Sequence, residues 1–305
     1  MLEHYMKFEN DGLQLVTALQ EILGTHYITP DHRVKTQNHK GYQMFYANLC
    51  VSEWVESFFY DSNQKVQRPL LDVGCAYGIN TLQAAKRGAK VVCVDMVQNH
   101  LDALLPAVTS VVKNSCPQNI ADNLDLRIQM GSLPFDIPQS PATDGLYSGI
   151  LVSEVLHFLS VDQVNHSLQT LWSLLAPGGI ICISTIGDGL IGIFKSEYRP
   201  EMARRVMEKR EKEGYVVFDA NVETGLQAMF RDEIMDSVSF FWQTFDAERL
   251  KRYVLQNCGP TDKVEIILAE DYFNHSYPDC ILDDRQTMAP YGLHEAARLV
   301  VRKRL

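Results

Sequence analysis

Leu70-Leu71-Asp72-Val73-Gly74-Cys75-Ala76-Tyr77-Gly78 is the stretch on which the fold turns: an apolar run ends in a turn of small residues, and a helical pattern follows. A strand that feeds directly into such a turn lets backbone approach a bound ligand closely. Seventeen residues after Gly78, a second apolar run, Val91-Val92-Cys93-Val94, ends in Asp95. An acid at the end of the neighbouring strand is placed to accept hydrogen bonds from both hydroxyls of an adenosine ribose. The two features together are far more specific than either alone.

Working outward, short apolar runs alternate with helical patterns from Pro69 onward, the signature of βαβ units that build a parallel sheet. The runs are 69–73, 90–94, 124–130, 149–152 and 179–184. After the first of them, Lys86 and Arg87 are expected in the last helical turn, with Gly88 as its cap. Leu168, Leu171 and Leu175 form an apolar stripe before Pro177-Gly178-Gly179. Upstream, Leu13, Leu15, Val16, Leu19 and Leu23 recur at helical spacing, and a second helix is expected over 42–60. Residues 188–243 interrupt the rhythm with too much sequence for a plain loop. They hold a charged helix candidate over 200–213 and the aromatic stretch Phe240-Phe241-Trp242. A helix over 247–256 and strands over 264–269 and 297–302 then resume the core pattern.

Charge separates the ligand classes that share this architecture. A nicotinamide-binding turn needs G-x-G-x-x-G, and here the three positions are Gly74, Ala76 and Ile79. Ile79 is a poor substitute for the glycine that permits close helix packing. Asp72, beside the turn, repels a pyrophosphate and suits a ligand with an ammonium and a cationic sulfonium.

On these residues, 69–185 resemble the class I S-adenosylmethionine-dependent methyltransferases, with LDVGCAYG as first motif and VVCVD as second. Met130 to Phe135, Asp144 to Tyr147, Ser153-Glu154-Val155-Leu156-His157 and Leu174 to Gly179 continue the resemblance. It implies an α/β fold, Rossmann-like and doubly wound, with a seven-stranded mostly parallel sheet whose last strand is antiparallel. N-terminal helices and a helical insertion would cap it. It also implies that Asp72, Gly74, Ala76 and Gly78 line the methionine end of S-adenosyl-L-methionine, Asp95 holds the ribose and Met96 covers one adenine face. Ser132 and Leu133 would border the ring, with Ser132 where the family more often has Asp. Ser153 and Glu154 would lie near the methionine moiety and the sulfonium. The product would be S-adenosyl-L-homocysteine. The expected division is 1–65 as an N-terminal helical lid, 66–187 as the cofactor-binding core, 188–243 as an acceptor-binding cap, and 244–305 as the rest of the core.

Methyl transfer from a sulfonium is an in-line displacement, so the protein mainly positions, aligns and excludes water. A base is needed only where the acceptor must lose a proton. His157, in the loop after the fourth strand, is the candidate base, although Leu156 and Phe158 beside it point equally to burial. Tyr27, His32, Tyr42 and Tyr46 are placed to close over the cofactor or to pack, and Phe240, Phe241 and Trp242 to line an acceptor pocket or to pack. No compact Asp, Glu or His cluster follows the fourth strand, so no metal is expected, and Asp283-Asp284 reads as a solvated turn.

With 305 residues, 46% hydrophobic, the chain holds enough apolar sequence for a substantial core. A net charge of −10 disfavours a general grip on phosphate backbones, which makes a small molecule the expected acceptor ahead of nucleic acid. A protein or RNA acceptor and a non-catalytic cofactor-binding Rossmann protein are the alternatives. The seven cysteines are scattered and never form C-x-x-C, as expected for reduced, buried thiols. Without a basic, apolar leader or a run of membrane length, the expected location is the cytoplasm.

Overall fold

In a computed structural model, the described residues are 2–29, 32–36, 42–43, 47–60, 67–189, 194–213, 216–223, 225–230, 241–272, 293–294 and 296–305, with side chains from residue 10 onward, those of 42–43 and 213 excepted. The chain begins with α1 (Leu2–Leu23), a two-stranded hairpin of β1 (Val34–Lys35) and β2 (Tyr42–Gln43), and α2 (Val51–Phe59). The βαβ series follows as β3 (Leu70–Val73), α3 (Ile79–Ala85), β4 (Val91–Asp95), α4 (Gln98–Ser115), α5 (Gln118–Asp122), β5 (Leu126–Met130), β6 (Tyr147–Ser153), α6 (Val161–Leu174) and β7 (Leu175–Ile186). The insertion carries α7 (Arg199–Glu213), β8 (Val216–Asp219) and β9 (Phe241–Thr244). The chain closes with α8 (Ala247–Asn257), β10 (Val264–Tyr272) and β11 (Ala296–Lys303).

Seven strands form one sheet in the order β10-β11-β7-β6-β3-β4-β5. β3, β4, β5, β6 and β7 pair in parallel, and β11 runs antiparallel to both β7 and β10. The sheet is therefore the doubly wound, mostly parallel one with an antiparallel last strand that the motifs imply. Its central strands are covered on both faces, which explains their continuous apolar runs. On one face Leu70, Cys93, Leu151, Cys182 and Val300 join residues of α1, α2, α3 and α4 in a buried cluster. On the other, Leu71, Val92, Ile150, Ile181 and Leu299 pack with α6 and α8. Two of these helices start on side-chain caps: Ser160 and Gln163 form a capping box at α6, and Asp246 accepts the Arg249 N–H at α8.

Three boundaries differ from the sequence reading. The helix expected from Tyr42 begins only at Val51, because Tyr42 and Gln43 pair with β1 instead. α3 ends at Ala85, so Lys86 and Arg87 follow the helix, while Gly88 takes the left-handed φ of 79°. Lys86 spends its charge on Asp11 of α1, 2.5 Å away. Leu175 belongs to β7, which begins before the Pro177-Gly178-Gly179 turn and pairs with Tyr147.

The insertion has a cluster of its own, in which Phe194, Phe218, Phe230 and Trp242 are buried and Trp242 lies 5.2 Å from Phe218, ring to ring. Trp242 thus packs inside the insertion's own cluster, while Phe240 lies outside the described residues. The two connections between cap and core run side by side, with Gly187 bridged to Phe245. Four charged residues gather at this neck. Asp188, 4% exposed, takes Arg249 Nη2, the Thr244 hydroxyl at 2.6 Å and Arg210 Nε at 3.3 Å. Arg210 Nη2 reaches Asp246 at 2.9 Å. α7 buries Met202, Ala203 and Val206 in the aromatic cluster and turns a charged face outward, where Arg204 and Arg205 pair with Glu201.

Candidate active site at the strand ends

The candidate residues converge at the C-terminal edge of the parallel strands, where open α/β sheets bind their ligands. Val73 lies opposite both Val94 and Val152, and Ser153 lies opposite Ser184, so the ends of β3, β4, β6 and β7 are level.

The turn after β3 places three residues in left-handed backbone, Gly74 (φ 70°), Ala76 (φ 44°) and Gly78 (φ 87°). The φ of Ala76 shows why glycine is the easier residue there. A Cβ on Gly74 would fall 2.3 Å from Val155 Cγ2, and one on Gly78 would fall 2.7 Å from Leu104 Cγ. These glycines therefore let the loop after β6 and helix α4 press against the turn.

Asp95 ties the turn to β4. Its Oδ2 accepts the Ala76 N–H at 2.9 Å, and its Oδ1 accepts the Val97 N–H at 2.9 Å and lies 3.1 Å from His100 Nδ1. A carboxylate offers about four lone-pair positions, so about one stays open for a ligand hydroxyl, where the sequence reading expected two hydroxyls. The neighbouring Met96 is 58% exposed, an apolar side chain held in the open at the mouth of the site. On the next loop, the Gly131 N–H bonds to the Asp95 carbonyl at 3.0 Å, and the Ser132 carbonyl accepts from Phe135 and Asp136. Leu133 points into the core at 6% exposure, which leaves its backbone and Ser132 to border a ligand.

Asp72 sits below the turn. At 1% exposure its Oδ2 accepts the Thr81 hydroxyl of α3 at 2.7 Å. Burial pushes its carboxyl up to about 7, the Thr81 hydrogen bond offsets part of the rise, and the Asp95 charge adds to it. Because the folded value lies above the ordinary 3.8, the native chain holds a proton that the unfolded chain loses, and stability falls as pH rises from about 4 to about 7. Asp72→Asn keeps a partner for Thr81 without the charge. Its melting temperature is expected to exceed the wild type's by several degrees at about pH 8, the gap shrinking toward pH 5. A gap that does not change with pH in thermal unfolding contradicts this assignment.

Beyond the turn, Glu154 takes a left-handed φ of 55°, and its N–H bonds to the Ser184 carbonyl at 2.9 Å. Its Oε1 lies 3.4 Å from the Ser184 hydroxyl and its Oε2 lies 3.9 Å from His157 Nδ1. Desolvation raises its carboxyl to about 7, with the Ser184 hydrogen bond opposing the rise. His157 is 7% exposed, has Thr185 Oγ1 at 3.4 Å from Nδ1, and is held neutral because burial lowers its pKa to about 3.

Several site residues escape the sequence reading. Asn48, just before α2, donates from Nδ2 to Ser153 Oγ at 3.0 Å and also to Ser184 Oγ, while its own N–H is taken by Asn80 Oδ1 at 2.8 Å. Tyr77 is fully buried, donates its hydroxyl to the Lys35 carbonyl at 2.9 Å, and lies 4.7 Å from the His100 ring. Both link the N-terminal region to the strand ends. Tyr27 packs on His26, His32 is exposed, and Tyr46 and Asp283-Asp284 lie outside the described residues, as does the side chain of Tyr42. Among the described residues, no three His, Cys, Asp or Glu side chains are grouped to hold a metal, and no helix is long and apolar enough to cross a membrane.

No curated protein matches the sequence. Similar solved structures include an S-adenosylmethionine-dependent methyltransferase from Mesorhizobium loti, 14% identical, aligned over 77% of this chain and 91% of that one with a TM-score of 0.44. The glycopeptide N-methyltransferase MtfA is 13% identical over 85% of this chain and 92% of its own, with a TM-score of 0.44. PKMT2 from Rickettsia typhi, solved in complex with AdoHcy, is 12% identical over 84% of this chain and 53% of its own, with a TM-score of 0.46. Residues 42–231 match the family described as methyltransferase domain. That span is more than half of the sequence and contains the glycine turn, Asp95 and the loop after β6, and the chain belongs to the methyltransferase-domain family.

Proposed function

We propose that the protein transfers a methyl group from S-adenosyl-L-methionine to a small molecule. The observation that carries the reading is the joined pair of glycine turn and Asp95, in which the Ala76 N–H is bonded to Asp95 Oδ2. The residues fit this cofactor: an acid with an acceptor position left open suits a ribose hydroxyl, exposed Met96 suits an adenine face, and Ile79 stands where a pyrophosphate-binding turn needs glycine. When bound, the cofactor supplies an activated methyl group on a cationic sulfur, leaving S-adenosyl-L-homocysteine.

The chain's own residues then do the positioning. Gly74, Ala76 and Gly78 give the methionine end a backbone-lined wall, and Ser132 with the Leu133 backbone borders the adenine. Ser153, clamped by Asn48, fixes the head of β6 beside the methionine moiety. His157, buried beside Glu154, braces the loop that carries it. The cap over 188–243 and the N-terminal region over 1–65 enclose the acceptor and exclude water.

Incubation with S-adenosyl-L-methionine carrying a labelled methyl group, in a mixture of small-molecule acceptors, is expected to yield labelled product of small mass. Label recovered only on protein or RNA contradicts the small-molecule assignment, and no S-adenosyl-L-homocysteine above the spontaneous rate contradicts turnover itself. Replacing 189–243 with a short flexible link is expected to abolish turnover and spare cofactor affinity. Equal loss of both in parallel titrations contradicts the cap's role.

A further inference from the structure

Among the described residues, the acid at the head of β6 has no Lys or Arg partner. Glu154 is held in a backbone conformation that costs a non-glycine residue of order 1–3 kcal/mol, and such outliers concentrate where a side chain must be aimed. The strain is kept by the Glu154 N–H bond to the Ser184 carbonyl and by the close seat of Val155 over Gly74. That seat puts the Glu154 loop directly against the glycine turn. Its side chain stays 34% exposed, while Leu156 and His157, next in the loop, are buried.

Among the described residues its surroundings are neutral. Ser184 offers a hydroxyl, and His157, its one ion-pair contact among the described residues, is uncharged. By contrast, Asp188 on the same edge of the sheet is matched by Arg249 and Arg210. A partly buried carboxylate without a cation is costly unless a ligand brings the charge.

We infer that Glu154 receives the acceptor and that the acceptor is an amine, whose ammonium the carboxylate binds and deprotonates. This deepens the function proposed above and rests on it. A carboxyl held near neutrality by desolvation is matched to this proton transfer. The ammonium R-NH3+ gives one proton to Glu154. The freed nitrogen lone pair forms the N–C bond to the methyl carbon, and the C–S bond breaks with its electron pair on sulfur. The products are R-NH2+-CH3, an uncharged thioether and protonated Glu154, which returns its proton to water.

The test uses two adenosyl compounds on the full chain. S-adenosyl-L-homocysteine carries nothing in the place of the methyl group, whereas sinefungin carries a primary amine there. Both are titrated calorimetrically into wild type and Glu154→Gln. The expected result is homocysteine-compound affinity within about two-fold of wild type, which also shows that the variant is folded, and sinefungin weakened by about ten-fold or more, the size of one lost charge-assisted contact. Equal weakening of both places Glu154 on the methionine ammonium, and no weakening of either removes it from the site; both results overturn the inference. Failure of wild type to bind either compound instead overturns the S-adenosyl-L-methionine reading on which it stands.

Discussion

Asp95→Ala lowers affinity for S-adenosyl-L-methionine by about 100-fold or more, the largest loss expected of any single change at the strand ends. Two contributions combine. A hydrogen bond from a ligand hydroxyl to a carboxylate is worth about 1.5–3 kcal/mol, and every 1.4 kcal/mol is about ten-fold in affinity. The same carboxylate also anchors the Ala76 N–H in the turn, the Val97 N–H at the start of α4 and His100, so its loss loosens the ligand's seat as well as its contact. Asp95→Asn keeps an acceptor and much of the shape, and falls between. Calorimetric titration reads both variants, with circular dichroism to confirm the fold. Wild-type affinity in Asp95→Ala contradicts the assignment.

The second large effect is on stability. Arg249 is 3% exposed and bonds to Asp188 and, through Nε at 3.2 Å, to Asp246. Removing one partner of such a buried pair leaves the other charge uncompensated and costs about 3–5 kcal/mol. Arg249→Ala is expected to lower the melting temperature by about 5–15 °C. Arg210 touches the same acids but is 31% exposed, where a pair is worth at most about 1 kcal/mol, so Arg210→Ala is expected to cost a small fraction of that. Equal losses in thermal unfolding contradict this ranking. Because these residues pin the two connections between core and cap, the loss in Arg249→Ala is expected to begin at the cap, visible as early hydrogen exchange in α7.

The difference between these residues and the rest is also a difference in what a sequence can reveal. The glycine turn, Asp95 and the strand ends are local patterns: apolar runs of strand length, a turn of small residues, an acid at a run's end. The family resemblance that those motifs carry implied the topology, down to the antiparallel last strand. Asp72 was legible by the same pattern, but its burial was not. Strand alternation puts it on the face of Leu70, under α3, where Thr81 meets it. Asn48 carries no local signal, since its partners Ser153 and Ser184 lie 105 and 136 residues away. Tyr77 reads as one more aromatic until its hydroxyl finds the Lys35 carbonyl, 42 residues upstream. The charge at the cap's neck was invisible for the same reason, as Asp188 and Arg249 are separated by 61 residues. Trp242 was legible only as aromatic, and whether it lined a pocket or filled a core depended on Phe194, Phe218 and Phe230 folding around it.

Titration of the wild-type chain with S-adenosyl-L-methionine, S-adenosyl-L-homocysteine and NAD, side by side, tests the central claim most directly. The turn, its tie to Asp95, and the seat of Ile79 where a dinucleotide motif needs glycine predict binding of the two adenosyl compounds and none of NAD. Preference for NAD, or binding of none of the three, contradicts the account.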